Sequence, residues 1–406
     1  MINNYTAINA FIFAGSFSIG VMNAGFNLKK VLEMTDDMLE KNAFFFHKNY
    51  PNIPVILPKE WENDEYLLNL RKENVDLMCC NCPCSSLSRV NRYAKIDGSN
   101  NIHFYRLFNV FEKMQPKVFV VENAPTLIKL GKPILNDMVN KLKDIYRFTI
   151  IRDQAGNHST PMKRMRTIVV GWRKDVFDKI PIIRQEITPQ MTIKDALSDI
   201  YNNTVDDCKS PAFDCLRSLY KYAIPRLGLM GSLATRVFNN EEPAKTEIMD
   251  VISKTKEIKY IKHILYKLEH NLGYWDKTPK RMPEDAQFPS ISGPQEYLHP
   301  IQNRCLNLLE LQRMMGYPDT YDFHDPENKC KITAKVAIGQ GVPSNFGKWI
   351  AKQVKLALDK ELQVDDTNAD MIFQHHIKHQ YSTFTYDQFL ALSEVDIQKN
   401  NYKKLI

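Results

Sequence analysis

Short unbroken apolar runs alternate, from residue 7 to residue 171, with stretches whose apolar positions fall on one helical face. Such runs, bounded by glycine, proline or polar residues, suit strands buried on both faces, and the stretches between them suit amphipathic helices. Residues 7–14 predict a first strand, Gly15-Ser16-Phe17-Ser18 a turn, and the following positions a helix to Ala24 with Gly25 as its stop. Residues 28–32 predict a second strand ending at Glu33; 36–48 read as helical, 52–57 as extended and 60–72 as an acidic helix. Val75-Asp76-Leu77 leads a buried strand into Met78-Cys79-Cys80-Asn81-Cys82-Pro83-Cys84-Ser85-Ser86-Leu87-Ser88. A polar, basic segment through residue 101 reads as a loop, a candidate lid. Residues 103–114 and 133–144 predict helices, and 117–121, 148–152 and 167–171 predict strands.

Strands alternating with helices in this way predict a doubly wound parallel sheet. The pattern weakens between residues 174 and 295, where short helices are expected near 193–200 and 245–270. It resumes with a helix over 304–315, an apolar segment over 334–338, a turn over 339–343 and a helix over 345–358. Four parts follow: 1–173 and 296–359 as one catalytic domain in two pieces, 174–295 as a smaller domain, and a polar tail over 360–406.

A chain of 406 residues can bury a sizeable core, and its net charge of +7 suits a polyanionic partner without proving one. The lysine-rich stretch around Lys259-Tyr260-Ile261-Lys262-His263 suits phosphate contacts and base stacking, or a solvated helix. No apolar run is long enough for a membrane span, no signal segment opens the chain, and the eight cysteines form no secreted framework. A cytoplasmic monomer is the expectation.

Four cysteines within six residues raise the question of zinc. Cys79 and Cys82 have ligand-pair spacing, but no second pair answers them, and alternation along a strand would scatter the thiols. Cys79 and Cys80 read as core residues and Cys84 as the loop thiol, a nucleophile where its surroundings favour the thiolate. His375, His376 and His379 share helical spacing and could bind metal, though an exposed polar tail explains them more simply. No metal is expected. Glu33 and Glu122 each end a strand at the sheet's edge; Glu33, closing the second strand, is placed to bind ribose hydroxyls, and either acid can simply face solvent. Arg164 and Arg166 alternate into a strand and so share a face, functional or solvated.

Taken in order, these pieces resemble the cytosine-5 DNA methyltransferases from about residue 7 to residue 357. Phe13-Ala14-Gly15 looks like that family's opening cofactor motif, and Pro83-Cys84 with Ser88 like its nucleophile loop. Glu122-Asn123 matches Glu-Asn-Val, and Arg164-Met165-Arg166 matches Arg-x-Arg. Arg304-Cys305-Leu306 with Glu310, Arg313 and Gly316-Tyr317-Pro318-Asp319 is similar to the late helix motif, and Gly339-Gln340-Gly341-Val342-Pro343 to the closing turn. The chain departs from the pattern at Phe17-Ser18, where paired glycines are usual, and at Ser85, Met162 and Gln340.

The resemblance implies a mostly parallel S-adenosylmethionine-dependent methyltransferase fold with residues 174–295 as its target-recognition domain. It implies a DNA (cytosine-5-)-methyltransferase of bacterial or phage restriction-modification type, acting on a base flipped out of duplex DNA. Cys84 would be the nucleophile at carbon 6; Glu122 would bind ring nitrogen 3 and the exocyclic amine, its pKa raised by a desolvated pocket. Arg166, with Arg164 beside it, would bind the carbonyl oxygen. Phe13, Ala14, Gly15, Ser16, Glu33, Pro83, Gln340 and Val342 would hold S-adenosylmethionine or a modified relative. Arg89 and Arg92 would contact phosphate or simply face solvent. Two rival readings stand beside this one: an RNA cytosine-5 methyltransferase, and a catalytically silent nucleic-acid-binding protein.

Overall fold

The computed structural model describes residues 4–87, 96, 98–186, 188, 190–201, 283–288, 290–291, 297, 299–301, 306–327, 329–393 and 403–404. Most of the expected recognition domain with its lysine-rich helix, most of the candidate lid including Ser88, Arg89 and Arg92, and the Arg304-Cys305 pair lie outside these residues.

The strands are β1 (Thr6–Ala10), β2 (Asn27–Leu32), β3 (Val55–Ile56), β4 (Leu77–Asn81), β5 (Val118–Asn123), β6 (Tyr146–Gln154), β7 (Met165–Arg173), β8 (Met371–His375), β9 (Gln380–Phe384) and β10 (Lys403–Lys404). They form one sheet in the order β10-β9-β8-β6-β7-β5-β4-β1-β2-β3. β1 pairs in parallel with both β2 and β4, and β4 pairs in parallel with β5. After β1 the chain builds outward on one side through β2 and β3, then crosses back to β4 and β5 on the other. That reversal leaves a crevice beyond the carboxyl ends of β1 and β4, the place where open α/β sheets bind ligands.

β4 and β5 are buried along their whole length, as strands covered by helices on both faces must be. The Ile102–Met114 helix covers one face, and its Phe111 ring stacks on Phe119 of β5 with centroids 4.0 Å apart. On the other face the Ser16–Asn23 and Ser344–Leu358 helices approach so closely that glycines meet side chains. A Cβ on Gly347 would lie 2.6 Å from the Phe17 ring, and one on Gly20 would lie 2.2 Å from the Ser344 carbonyl oxygen. Phe17, which with Ser18 stands in place of paired glycines, is therefore accommodated by Gly347 opposite. Ser18 also accepts a hydrogen bond from Asn9 Nδ2 of β1 at 2.5 Å.

The sheet is mostly parallel, as the resemblance implies, with β7 inserted antiparallel to both β5 and β6. One expectation is corrected. Residues beyond 360 are not a polar tail: β8 pairs in parallel with β6, β9 returns antiparallel to it, and β8 is wholly buried. His375 is 6% exposed and His376 0%, so neither lies on an exposed helix. The apolar Met371-Ile372-Phe373 segment pairs with a sheet edge at β6 that would otherwise stay unpaired.

Candidate active site

Phe11 to Gly15 follow β1 as a tight turn, with Phe13 and Gly15 in the left-handed region at φ 51° and 86°. Gly15 also leaves no space for a side chain, because a Cβ there would lie 2.3 Å from Phe46. Beside this turn β4 ends at Asn81, and Cys82, Pro83 and Cys84 lead into a turn closed by Leu87 N–H donating to the Cys84 carbonyl at 2.9 Å. Asn123, ending β5, donates Nδ2–H to the Cys82 carbonyl at 3.0 Å and so clamps this loop to the neighbouring strand.

The four cysteines divide as the strand pattern anticipates. Cys79, Cys80 and Cys82 are buried, and burial pushes each thiol up, well out of nucleophilic range. Cys84 alone among the four is not buried, and it lines a cavity of about 880 Å³. Among the described residues no group of histidines, cysteines and carboxylates is arranged to hold a metal.

Glu122 is paired with Asn81 in the β4–β5 ladder and accepts a hydrogen bond from Asn81 Nδ2 at 3.3 Å. Its other oxygen forms an ion pair with Arg166 Nε. Because β7 is antiparallel, it begins at the edge where the parallel strands end, which brings Arg166 into the crevice. Arg164 is 5% exposed and donates to two backbone carbonyls, Ile291 O and Gly339 O, the latter at 3.1 Å. Burial, and then the charge of Arg166, lower its pKa to about 9, which still leaves it charged at neutral pH. Arg164 therefore fastens two distant segments onto the cavity wall, while Arg166 is the arginine paired with the acid.

The cavity brings together Phe13, Pro83, Cys84, Arg164, Arg166 and Gln340 from four separate stretches of sequence. Ala14, Ser16 and Val342 are buried behind it, with Ser16 packed against Gly341, where a Cβ would lie 2.4 Å from its Oγ. Glu33 does not reach the cavity. Its carboxylate is 0% exposed and accepts N–H bonds from Ile12 at 3.0 Å and Met34 at 3.2 Å, and burial raises its pKa to about 7. The two backbone amides at the strand end hold it inward.

Sequence reasoning left several wall residues unassigned. Asn81 and Asn123 hold the acid and the cysteine loop; Asn123 stands in the Glu122-Asn123 match without a role assigned to it, and Asn81 is marked only by its place at the end of an apolar strand. Met34, His103, Lys129, Arg152 and Lys163 line the cavity without any motif to mark them.

A family model for C-5 cytosine-specific DNA methylases matches residues 5–356. The type II methyltransferase M.FnuDI of Fusobacterium nucleatum is 25% identical over 292 residues, covering 69% of this chain and 76% of its own. The type II methyltransferase M.Eco47II of Escherichia coli is 23% identical over 371 residues, covering 88% and 80%. Among solved structures, a candidate DNA modification methyltransferase encoded within an Escherichia coli prophage aligns with a TM-score of 0.60 at 18% identity, over 88% of this chain and all of that one. At that identity the likeness shows the fold.

Proposed function

This chain belongs to the C-5 cytosine-specific DNA methylases, and from that premise we propose that it methylates carbon 5 of a cytosine flipped out of duplex DNA, through a transient bond to Cys84. The observation that carries the reading is one cavity lined by an accessible cysteine, Cys84, and by Arg166, which is ion-paired with Glu122.

S-adenosylmethionine, when bound, supplies an electrophilic methyl group. The residues present fit it: the same cavity runs from Cys84 to Phe13, Met34 and Met38, whose apolar faces suit a purine, with Pro83 and Gln340 beside them.

Carbon 5 of cytosine is a weak nucleophile. Addition of the Cys84 thiolate to carbon 6 breaks the ring's conjugation and makes carbon 5 enamine-like, which splits one hard step into two easier ones. Glu122, held by Asn81 and Arg166, binds ring nitrogen 3 and the exocyclic amine as electron density builds there. Arg166 binds the carbonyl oxygen, where charge also develops, and Arg164 keeps that wall in place from behind. When carbon 5 takes the methyl group, the electron pair of the broken sulfur–methyl bond stays with the donor's sulfur, leaving a neutral thioether. Carbon 5 then loses its proton to water, and the electron pair of that C–H bond expels the Cys84 thiolate. Extrusion of the base costs a few kcal/mol of unstacking and is required because thiolate and donor must reach the ring from outside the stack.

Incubation with duplex DNA containing 5-fluorocytosine tests the reading, since fluorine at carbon 5 blocks the final proton loss and traps the adduct. A covalent complex formed by the native chain and absent from Cys84→Ala is expected. Bisulfite sequencing of DNA from cells expressing the chain would show protected cytosines in one sequence context. Transfer to tRNA with none to duplex DNA would overturn the choice of substrate.

A further inference from the structure

His103 opens the Ile102–Met114 helix and lines the cavity, yet the chemistry above gives it no task. Its surroundings fix both its charge and its tautomer. Arg106 Nη1 lies 2.9 Å from His103 Nδ1, and a guanidinium has only donors, so Nδ1 must accept. The imidazole proton then resides on Nε2. Burial, and then the Arg106 charge, lower the pKa of His103 to about 4, so the ring is neutral at physiological pH. Arg106 cannot easily turn away, because it also forms an ion pair with Glu62, donates to the Met34 carbonyl at 2.6 Å and lies over the Trp61 ring at 4.9 Å.

His103 thus offers the cavity one neutral N–H donor, on the ring edge away from Arg106. The shared bond from Arg106 places it beside Met34, and its ring meets Phe11 edge-on with centroids 5.6 Å apart. Both neighbours flank the cofactor end, at the close of β2 and β1, rather than the end at Arg166. A neutral donor suits a neutral acceptor, which a ring nitrogen or ribose oxygen supplies and a phosphate does not.

We propose that His103 is a specificity residue for the methyl donor, recognising the adenosine part of the molecule through its Nε2–H. The proposal rests on the methyltransferase reading above.

Calorimetric titration of the full chain with S-adenosylhomocysteine, without DNA, tests it. His103→Phe keeps an aromatic ring but removes the donor, and should weaken binding about tenfold, the effect of one hydrogen bond to a buried partner. His103→Gln returns an amide N–H near the Nε2 position and should recover affinity to within about threefold. Nitrogen-15 spectra of the free protein should show the proton of His103 on Nε2. Native affinity in His103→Phe, equal losses in both variants, or a proton on Nδ1 would each overturn the role of His103. Failure of the native chain to bind the nucleoside at all would instead remove the methyltransferase reading with it.

Discussion

His376 Nδ1 and Asp153 Oδ2 lie 2.8 Å apart with neither side chain exposed, although 223 positions separate them in the chain. The same oxygen receives His158 Nε2 at 2.8 Å, and the other oxygen receives the Gln154 N–H and Asn157 Nδ2, both at 2.7 Å. Asp153 stands directly opposite Arg166 in the β6–β7 ladder. The bond from His376 therefore ties the C-terminal hairpin to the strand edge opposite Arg166.

Removing that donor should be felt throughout this segment. His376→Leu leaves a buried carboxylate one hydrogen bond short, which should cost about 1–3 kcal/mol, whereas His376→Asn keeps an N–H near the Nδ1 position and should cost less. Thermal unfolding of the two variants checks the order. Equal melting temperatures would mean that the bond contributes nothing.

Acid should unfold the protein through Asp153. Burial alone would raise its pKa, but the hydrogen bonds from His158 and His376 outweigh it and hold the carboxyl well below its ordinary value of 3.8. A depressed folded pKa gives stability that is present above the unfolded value and lost as pH falls through the folded one. Asp153→Asn should therefore flatten the stability curve below about pH 4, measured by denaturant titration at stepped pH.

Glu33 should act in the opposite sense. Its pKa is raised from 4.5 to about 7 by burial, so the native state holds a proton there that the unfolded chain has released. Stability from this group is complete below pH 4.5 and should decline as pH rises towards 7, by about 3 kcal/mol. In Glu33→Gln that decline should vanish; a slope identical to that of the native chain would show that the carboxyl ionises freely in the fold.

The acid–arginine pair should matter to rate rather than to donor binding. Glu122→Gln removes the charge facing Arg166 and should lower kcat about 100- to 1,000-fold, while affinity for S-adenosylhomocysteine stays near native. Cys84→Ala should abolish transfer with donor affinity likewise retained. Steady-state kinetics beside a binding titration separates the two effects. A variant at either position with full activity would remove that residue from the mechanism.

Gly20→Ala sets helix propensity against packing. Alanine gains about 1 kcal/mol in a helix interior, but the new Cβ would lie 2.2 Å from the Ser344 carbonyl, where rigid backbone cannot yield cheaply. A net loss of about 1–3 kcal/mol on chemical denaturation is expected. A gain would mean that the two helices separate without penalty.

Much of this was legible in the chain. The unbroken apolar runs gave the inner strands, because a strand covered on both faces has no polar side to show, and Cys84 and Glu122 were found as residues just beyond or at the ends of such runs. Arg166 was visible as half of an alternating pair, but alternation cannot say whether a face meets solvent or a site. The antiparallel course of β7 decided that, and strand direction depends on contacts made across the sheet. Two of the three histidines near the C-terminus, His375 and His376, were misread for the same reason. Their burial comes from pairing with β6 and from a carboxylate on that distant strand, and local periodicity carries no trace of either. Glu33 was placed at the correct strand end, yet its inward turn depends on two backbone amides whose positions only the folded loops define. Sequence alone determined which segments could be strands, helices and reactive turns, since those follow from side-chain chemistry at short range. The tertiary structure alone decided which charges meet and which are sealed away, because desolvation and pairing are properties of neighbours brought together by folding.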